Sequence, residues 1–232
     1  MKRYGILSMA LVAAFAVGCN SNNRPDANAA NPSGSPVGTA GTADRNNEVS
    51  GGDKDFVHDV SIANMAEIEL GRLAAQRGTS AQVKKFGQMM VDDHTKAGDK
   101  LMTIASQHSI PMATELDDKH RDLREKLTKL QGAEFDREYI DAMVDGHQDV
   151  LDKLGSRVDK ESLENYKAKT TDQATGDKVK QEVEATAITP EKSDNTITAS
   201  INQWAATSYP VVQAHLQSAK TIQNTFKKRM TN

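Results

Sequence analysis

The sequence has little of several features that mark particular classes of protein. It contains a single cysteine, which excludes an intramolecular disulfide framework and a cysteine-cluster metal site. It has no apolar run of about 18 residues, so we expect no ordinary transmembrane helix. Lys and Arg number 29 against 32 Asp and Glu, and this balance gives no basic field that would favour a nucleic-acid partner. Aromatic residues make up only 4% and prolines number six, a composition that favours an α-rich chain.

The N-terminus has the pattern of a bacterial lipoprotein signal. Lys2 and Arg3 precede an apolar stretch over residues 6–17, which has the length of a signal-peptide core and is too short to span a bilayer. Small residues then precede Cys19, as in a lipobox, where the cysteine is lipidated and becomes the mature N-terminus. We interpret residues 1–18 as a lipoprotein signal peptide and Cys19 as the lipidation site. The alternative is a plain secretory signal with an incidental cysteine.

Residues 19–52 are predicted to form a disordered tether. They are rich in Asn, Ala, Gly, Ser, Thr and Pro, and they lack the large apolar side chains that would offset the entropy of ordering. About 33 residues of such coil span roughly 30 Å, enough to hold a domain clear of a membrane. Asn20 follows the cysteine, and the lack of an aspartate there favours the outer membrane in enteric-type sorting. We therefore expect a lipid anchor on the periplasmic side of the cell envelope, in the outer membrane.

Residues 53–230 are predicted to form a bundle of amphipathic helices. Apolar residues recur every three or four positions in four long segments. We expect Asp53 to cap the first helix, Gly78 to end it, and a capping box at residues 79–82 to open the second. The third long helix follows Gly132, and the fourth covers about residues 196–228.

The connections between these helices indicate the topology. About 24 residues separate the second and third long helices, and they contain a shorter helix that we expect Thr114 to cap. Such a connector can return the chain to the opposite end of a bundle, which gives a ferritin-like four-helix bundle with one long helical crossover. Residues 156–195 are polar and poorly periodic, and we interpret them as an extended helix end followed by a mobile insertion.

Three of the six histidines lie on apolar stripes, one on each of three long helices. They are His94, His147 and His215, and Glu67 lies on the stripe of the first helix. With a ferritin-like topology, all four fall roughly 17–22 Å from the same end of the bundle. Neutral imidazoles with one carboxylate suit a divalent transition metal such as Zn, Fe, Mn or Cu. The alternative is a metal-free polar layer that sets the register of the helices.

The residues three positions before these histidines argue against a di-iron centre. They are Val91, Val144 and Val212, whereas di-iron bundles use Glu-x-x-His motifs. A mononuclear site or a layer without metal is therefore favoured. Asp93 is a weaker candidate, as a residue that orients a ligand. We find no phosphate loop, nucleophile elbow or Ser/His/Asp order, so we assign no catalytic residue.

Four segments of the chain together resemble one bacterial family. They are MAEIELGRLA at Met65–Ala74, MVDDH at Met90–His94, FDREYIDAMVDGH at Phe135–His147 and YPVVQAHL at Tyr209–Leu216. The family is domain of unknown function 4142, and the resemblance covers about residues 53–222. It implies a secreted or lipid-anchored protein with a ferritin-like bundle, and it implies no activity. The positions that match the family's pattern are Glu67, Glu69, Asp93, His94, Phe135, Asp136, Tyr139, His147 and His215.

Two functional hypotheses follow from the sequence. The first is an envelope lipoprotein whose helical bundle binds a partner of unknown identity, without enzymatic activity. The second is a mononuclear transition-metal-binding or redox bundle that uses Glu67, His94, His147 and His215.

Overall fold

The computed structural model describes residues 48–171 and 188–230. The predicted signal peptide, Cys19 and most of the predicted tether lie outside the described residues. Those residues form an all-α helical bundle without a β-strand, as the sequence predicts. Its helices are α1 Gly51–Arg77, α2 Ala81–Gln107, α3 Asp118–Lys129, α4 Gly132–Gly155, α5 Lys160–Thr171 and α6 Thr196–Met230. Within the described ranges, no helix combines the length and apolarity needed to cross a bilayer.

The first two helices begin one to three residues away from the predicted caps. Ser50 caps α1, because its hydroxyl accepts a hydrogen bond from the backbone N–H of Asp53, so Asp53 itself lies in the first turn and is buried. Ser80 caps α2 by accepting from the N–H of Gln82. Gly78 ends α1 as predicted, and its N–H donates to the carbonyl of Ala74.

Helices α1 and α2 form a tight antiparallel pair. Their connection is only residues 78–80, and two glycines bring the helices close together. A Cβ on Gly71 would lie 2.8 Å from the carbonyl oxygen of Gly87, and a Cβ on Gly87 would lie 2.7 Å from that of Gly71. No larger residue fits at either position without a shift of the backbone. This close approach also brings Asn64 of α1 within hydrogen-bonding distance of His94 of α2.

The long connector over residues 108–131 returns the chain along the bundle. Asp117, not Thr114, caps its helix α3, because the Asp117 carboxylate accepts from the N–H of His120 at 2.9 Å. Arg77 at the end of α1 donates to the carbonyls of Thr128 and Leu130, which fixes the far end of α3. Gly132 then opens α4 with φ +60°, a left-handed conformation that favours glycine.

Two apolar clusters fill the two halves of the bundle and establish its topology. One contains the start of α1, the ends of α2 and α4, and the start of α6, with Phe56, Leu101, Leu154 and Ile201. The other contains the opposite ends of the same helices, with Leu70, Phe86, Phe135 and Ile222. Helices α1 and α2 therefore run antiparallel, as do α4 and α6, and the two pairs are joined by one long crossover.

The segment after α4 differs from its predicted form. Helix α4 ends at Gly155, and the chain then forms the separate helix α5 instead of extending α4. Leu163 and Tyr166 of α5 are buried, and the ring of Tyr166 lies 5.8 Å from that of Tyr209 in α6. A few apolar residues on a charged helix are enough to anchor it, so the polar composition was misleading. The central part of the predicted insertion, residues 172–187, lies outside the described residues.

Candidate metal centre

Helices α2, α4 and α6 each place one histidine at the level where the two apolar clusters meet. His94, His147 and His215 are 8%, 1% and 2% exposed. Their ring centroids are 5.5–5.7 Å apart, and one nitrogen from each ring lies within 4.8 Å of the other two. The predicted convergence of three imidazoles from three helices is therefore confirmed. We call these three side chains the histidine centre.

The outward nitrogen of each ring faces a hydrogen-bond acceptor. His94 Nδ1 lies 3.2 Å from Asn64 Oδ1, and His147 Nδ1 lies 2.8 Å from the carbonyl oxygen of Met143. His215 Nε2 lies 3.1 Å from a carboxylate oxygen of Asp93. Because a carbonyl or carboxylate oxygen only accepts, each ring donates its N–H outward. The lone pair of each neutral ring is thereby directed to the other nitrogen.

The inner nitrogens of the histidine centre have no hydrogen-bond partner in the part of the chain that the structure describes. They are His94 Nε2, His147 Nε2 and His215 Nδ1, and all three are fully buried. A buried acceptor without a partner destabilises a fold by roughly 1–3 kcal/mol. Three such acceptors at one place form a site that a bound electrophile would satisfy.

Burial favours the neutral form of the rings. Desolvation lowers the pKa of His94 well below its ordinary value, and the nearby rings of His147 and His215 lower it further. Desolvation also lowers the pKa of His147, to about 3. Both rings are therefore neutral at pH 7, which is the form of imidazole that binds a metal ion.

Asp93 supplies a negative charge directly behind His215. Its hydrogen bond with His215 lowers the pKa of Asp93 to about 2, although burial acts in the opposite direction. Its other oxygen lies 3.3 Å from the ammonium group of Lys96, and the Asp93 side chain is one-third exposed. The aspartate that precedes His94 in the sequence therefore orients the histidine of a different helix.

Glu67 lies outside the ligand cluster, which corrects its predicted place among the ligands. Its Oε1 atom is 3.5 Å from His147 Nδ1, the outward nitrogen, so the carboxyl group stands behind the ring. Glu67 lies across from Gly146, where an added Cβ would be 3.3 Å from Oε1. Burial raises the pKa of Glu67 to about 8. The helical spacing correctly predicted the height of Glu67 in the bundle. The buried face of a helix spans a wide angle, however, so the spacing does not determine where the side chain points.

The donors present fit a divalent transition ion after a small contraction. Zn–N bonds of 2.0–2.1 Å would place three nitrogens about 3.4 Å apart. With nitrogens as far as 4.8 Å apart, each ring has to move inward by about 0.7 Å to reach that bond length. Asp93 is ionised behind one ring, and Glu67 behind another can release its proton when a dication binds, so both can balance the charge of the ion. Three protein ligands leave one coordination position open.

Comparison with known protein families gives one match. The model of the domain of unknown function DUF4142 matches residues 38–187, more than half of the chain. The chain belongs to this family. The match contains His94 and His147 but ends before α6, so it is shorter than the resemblance seen in the sequence and leaves out His215. No curated protein and no solved structure matches the chain.

Sequence reasoning did not find the orienting residue of α1. Asn64 lies three residues before Glu67, one helical turn away, and its side chain holds the outward nitrogen of His94. The signal was present in the sequence, since a polar residue one turn from a buried glutamate falls on the same face of the helix. Asparagine is common on helix surfaces, however, so its position alone did not separate it from a solvent-exposed residue.

Proposed function

We propose that this member of the DUF4142 family binds one divalent transition-metal ion at His94, His147 and His215. The single observation that carries the proposal is the orientation of the three rings. Each donates its outer N–H to a fixed acceptor, and its other, buried nitrogen has no partner among the residues that the structure describes. The three rings also offer nitrogens within 4.8 Å of one another. Hydrogen bonds of this kind are typical of metal-binding histidines, whose tautomer is set by the groups behind them.

A metal-free polar layer explains this arrangement less well. In such a layer, the rings would pair with one another or with a common donor, but the three inner nitrogens are all acceptors. One water molecule has two protons and would satisfy only two of them. A cation interacts with all three lone pairs at once, and the carboxyl groups of Asp93 and Glu67 lie close enough to offset its charge.

The donor set favours particular metals. Three imidazole nitrogens with no carboxylate ligand suit Zn and Cu(II), and they suit Fe(II) less well. Mg, Ca and Mn prefer oxygen ligands. The open fourth position would hold water or an exchangeable ligand. Apolar clusters lie on both sides of the centre, and we expect this buried apolar surface to fold the protein before the metal binds.

Metal analysis tests the proposed centre directly. Protein purified without chelator and then incubated with Zn is expected to retain about one equivalent after desalting. The variant His94→Ala/His147→Ala should retain none, while the control His58→Ala/His108→Ala, which changes two histidines outside the centre, should bind like the wild type. Wild-type protein that retains no Zn or Cu, and whose thermal unfolding ignores both ions, would refute the proposal.

We further propose that the bundle is held at the cell envelope by a lipid on Cys19. The basic start, the short apolar core and the single cysteine after small residues support this location. In cells that process lipoproteins, the wild-type chain should sediment with membranes, and Cys19→Ala should release it into the soluble fraction or leave it unprocessed. Equal membrane association of the two proteins would show that the cysteine is incidental.

A further inference from the structure

A polar cleft opens behind the His147 ring, on the side that faces away from the other two histidines. It lies between α1, α3 and α4 and has a volume of about 190 Å³. Its charged lining consists of Asp59, Glu67, Asp117, Asp149, Lys119 and Lys153. A cleft of this size has room for several water molecules, and therefore for an ion that keeps part of its hydration shell.

Glu67 lies at the inner end of this cleft and is incompletely satisfied. Its side chain is only 8% exposed, and its Oε2 atom has no hydrogen-bond partner within the described ranges. Its other oxygen faces the Nδ1 edge of His147 at 3.5 Å. Glu67 therefore lines the cleft with part of its side chain and faces a ring of the histidine centre with one carboxyl oxygen.

Two carboxylates of the cleft, Asp59 and Asp149, are paired with exposed lysines, whereas Asp117 is held by the backbone and ring of His120. Lys153 lies 2.6 Å from Asp59, and Lys119 lies 3.0 Å from Asp149. Both lysines are about half exposed or more, and ion pairs of this kind contribute little to stability. A dication can displace a single ammonium group from such a carboxylate, because it carries twice the charge on a smaller ion.

We propose that this cleft is an outer binding site for a hydrated divalent cation, held by Glu67 with Asp59 and Asp149. Hard divalent cations prefer oxygen ligands, so the ion would bind here through carboxylate oxygens and retained water. The site stands on the cleft alone and does not depend on the histidine centre.

The outer site can be tested without the inner one. The full chain carrying His94→Ala/His147→Ala is titrated with Mn²⁺, and the free ion is followed by electron paramagnetic resonance. We expect saturable binding of one Mn²⁺, weakened at least about tenfold by adding Glu67→Gln, which keeps the size of the side chain and removes its ability to ionise when the cation binds. Adding Asp55→Asn/Asp99→Asn, two exposed acids outside the cleft, should leave binding unchanged. Absent Mn²⁺ binding, or binding that ignores Glu67→Gln, would overturn the outer site.

Discussion

Two buried polar clusters lie in this bundle, and their hydrogen bonding differs in kind. Asp53, which is fully buried, is surrounded by donors from three parts of the chain. Its carboxylate accepts from Arg157 at 2.5 Å and from the hydroxyls of Thr198 and Ser50 at 2.7 Å. In the histidine centre, by contrast, the outer nitrogens are satisfied and the three inner ones have no partner in the described part of the chain.

The difference separates the structural role of the Asp53 cluster from the metal binding proposed for the histidine centre. The Asp53 cluster joins the start of α1 to the start of α6 and to the segment after α4, and every strong donor comes from the protein. Although burial alone would raise the pKa of Asp53, the bonds from Thr198, Ser50 and Arg157 hold it below its ordinary value. Proteins rarely leave buried polar atoms unpaired, so three neighbouring nitrogens without a partner in the described ranges support the proposed metal site.

The largest expected effect is on the structural cluster. Asp53→Ala removes a fully buried carboxylate and leaves the partly buried guanidinium of Arg157 without it, and we expect a loss of about 4 kcal/mol in the free energy of unfolding, measured with urea. The variant should still bind Zn with wild-type stoichiometry, because the histidines lie in the middle of the bundle. A loss below about 1 kcal/mol would mean that the cluster contributes little and that the contrast with the histidine centre is overstated.

As the pH falls, the histidine centre and the Asp53 cluster should lose their contributions to stability at different pH values. His94 and His147 have pKa values below those of the unfolded chain, so the unfolded state takes up protons first as the pH falls. Their contribution to stability is complete above about pH 6.5 and is lost progressively toward pH 3. In metal-free protein carrying Glu67→Gln, we expect a loss on the order of 3 kcal/mol between pH 7 and pH 5. Asp53 should lose its contribution only below about pH 4.

The Glu67→Gln background is needed because Glu67 acts in the opposite direction. Its pKa is raised to about 8 by burial, so the folded state keeps a proton that the unfolded state releases above about pH 4.5. Its effect on stability is unfavourable at pH 8 and disappears as the pH falls toward 4.5. Wild-type protein should therefore show a flatter profile than Glu67→Gln between pH 7 and pH 5. Identical profiles would mean that Glu67 is solvated.

Metal should stabilise only the protein with an intact histidine centre. At a free Zn concentration one hundred times the dissociation constant, binding adds about 2.7 kcal/mol to the free energy of unfolding. We expect this gain in the wild type and in Asp53→Ala, and no gain in His94→Ala/His147→Ala. Thermal unfolding with and without Zn measures it, and a similar gain in the double variant would locate the metal elsewhere.

The sequence predicted the helices and the histidines better than the groups around them. A period of 3.6 residues identifies which positions of a long helix are buried, and this was sufficient for His94, His147 and His215. It did not reveal that Glu67 lies behind the ring of His147, because the direction in which a buried side chain points depends on how the neighbouring helix packs against it. It also did not pair Asp93 with His215, since these residues are 122 positions apart and meet only through the crossing of α2 and α6.

The smallest expected effect distinguishes two adjacent aspartates. Asp93 holds the outer nitrogen of His215, whereas Asp92 is exposed and accepts a hydrogen bond from Gln88 on its own helix. Groups that orient a metal-binding histidine typically contribute at least tenfold to affinity, so Asp93→Asn should weaken Zn binding about tenfold, or by about 1.4 kcal/mol. Asp92→Asn removes the same charge one residue away and should leave the affinity within about twofold. Competition titration against a chromophoric chelator measures the Zn affinity of both variants. Equal weakening by the two substitutions would show that Asp93 acts only through its charge at a distance and not through its hydrogen bond to His215.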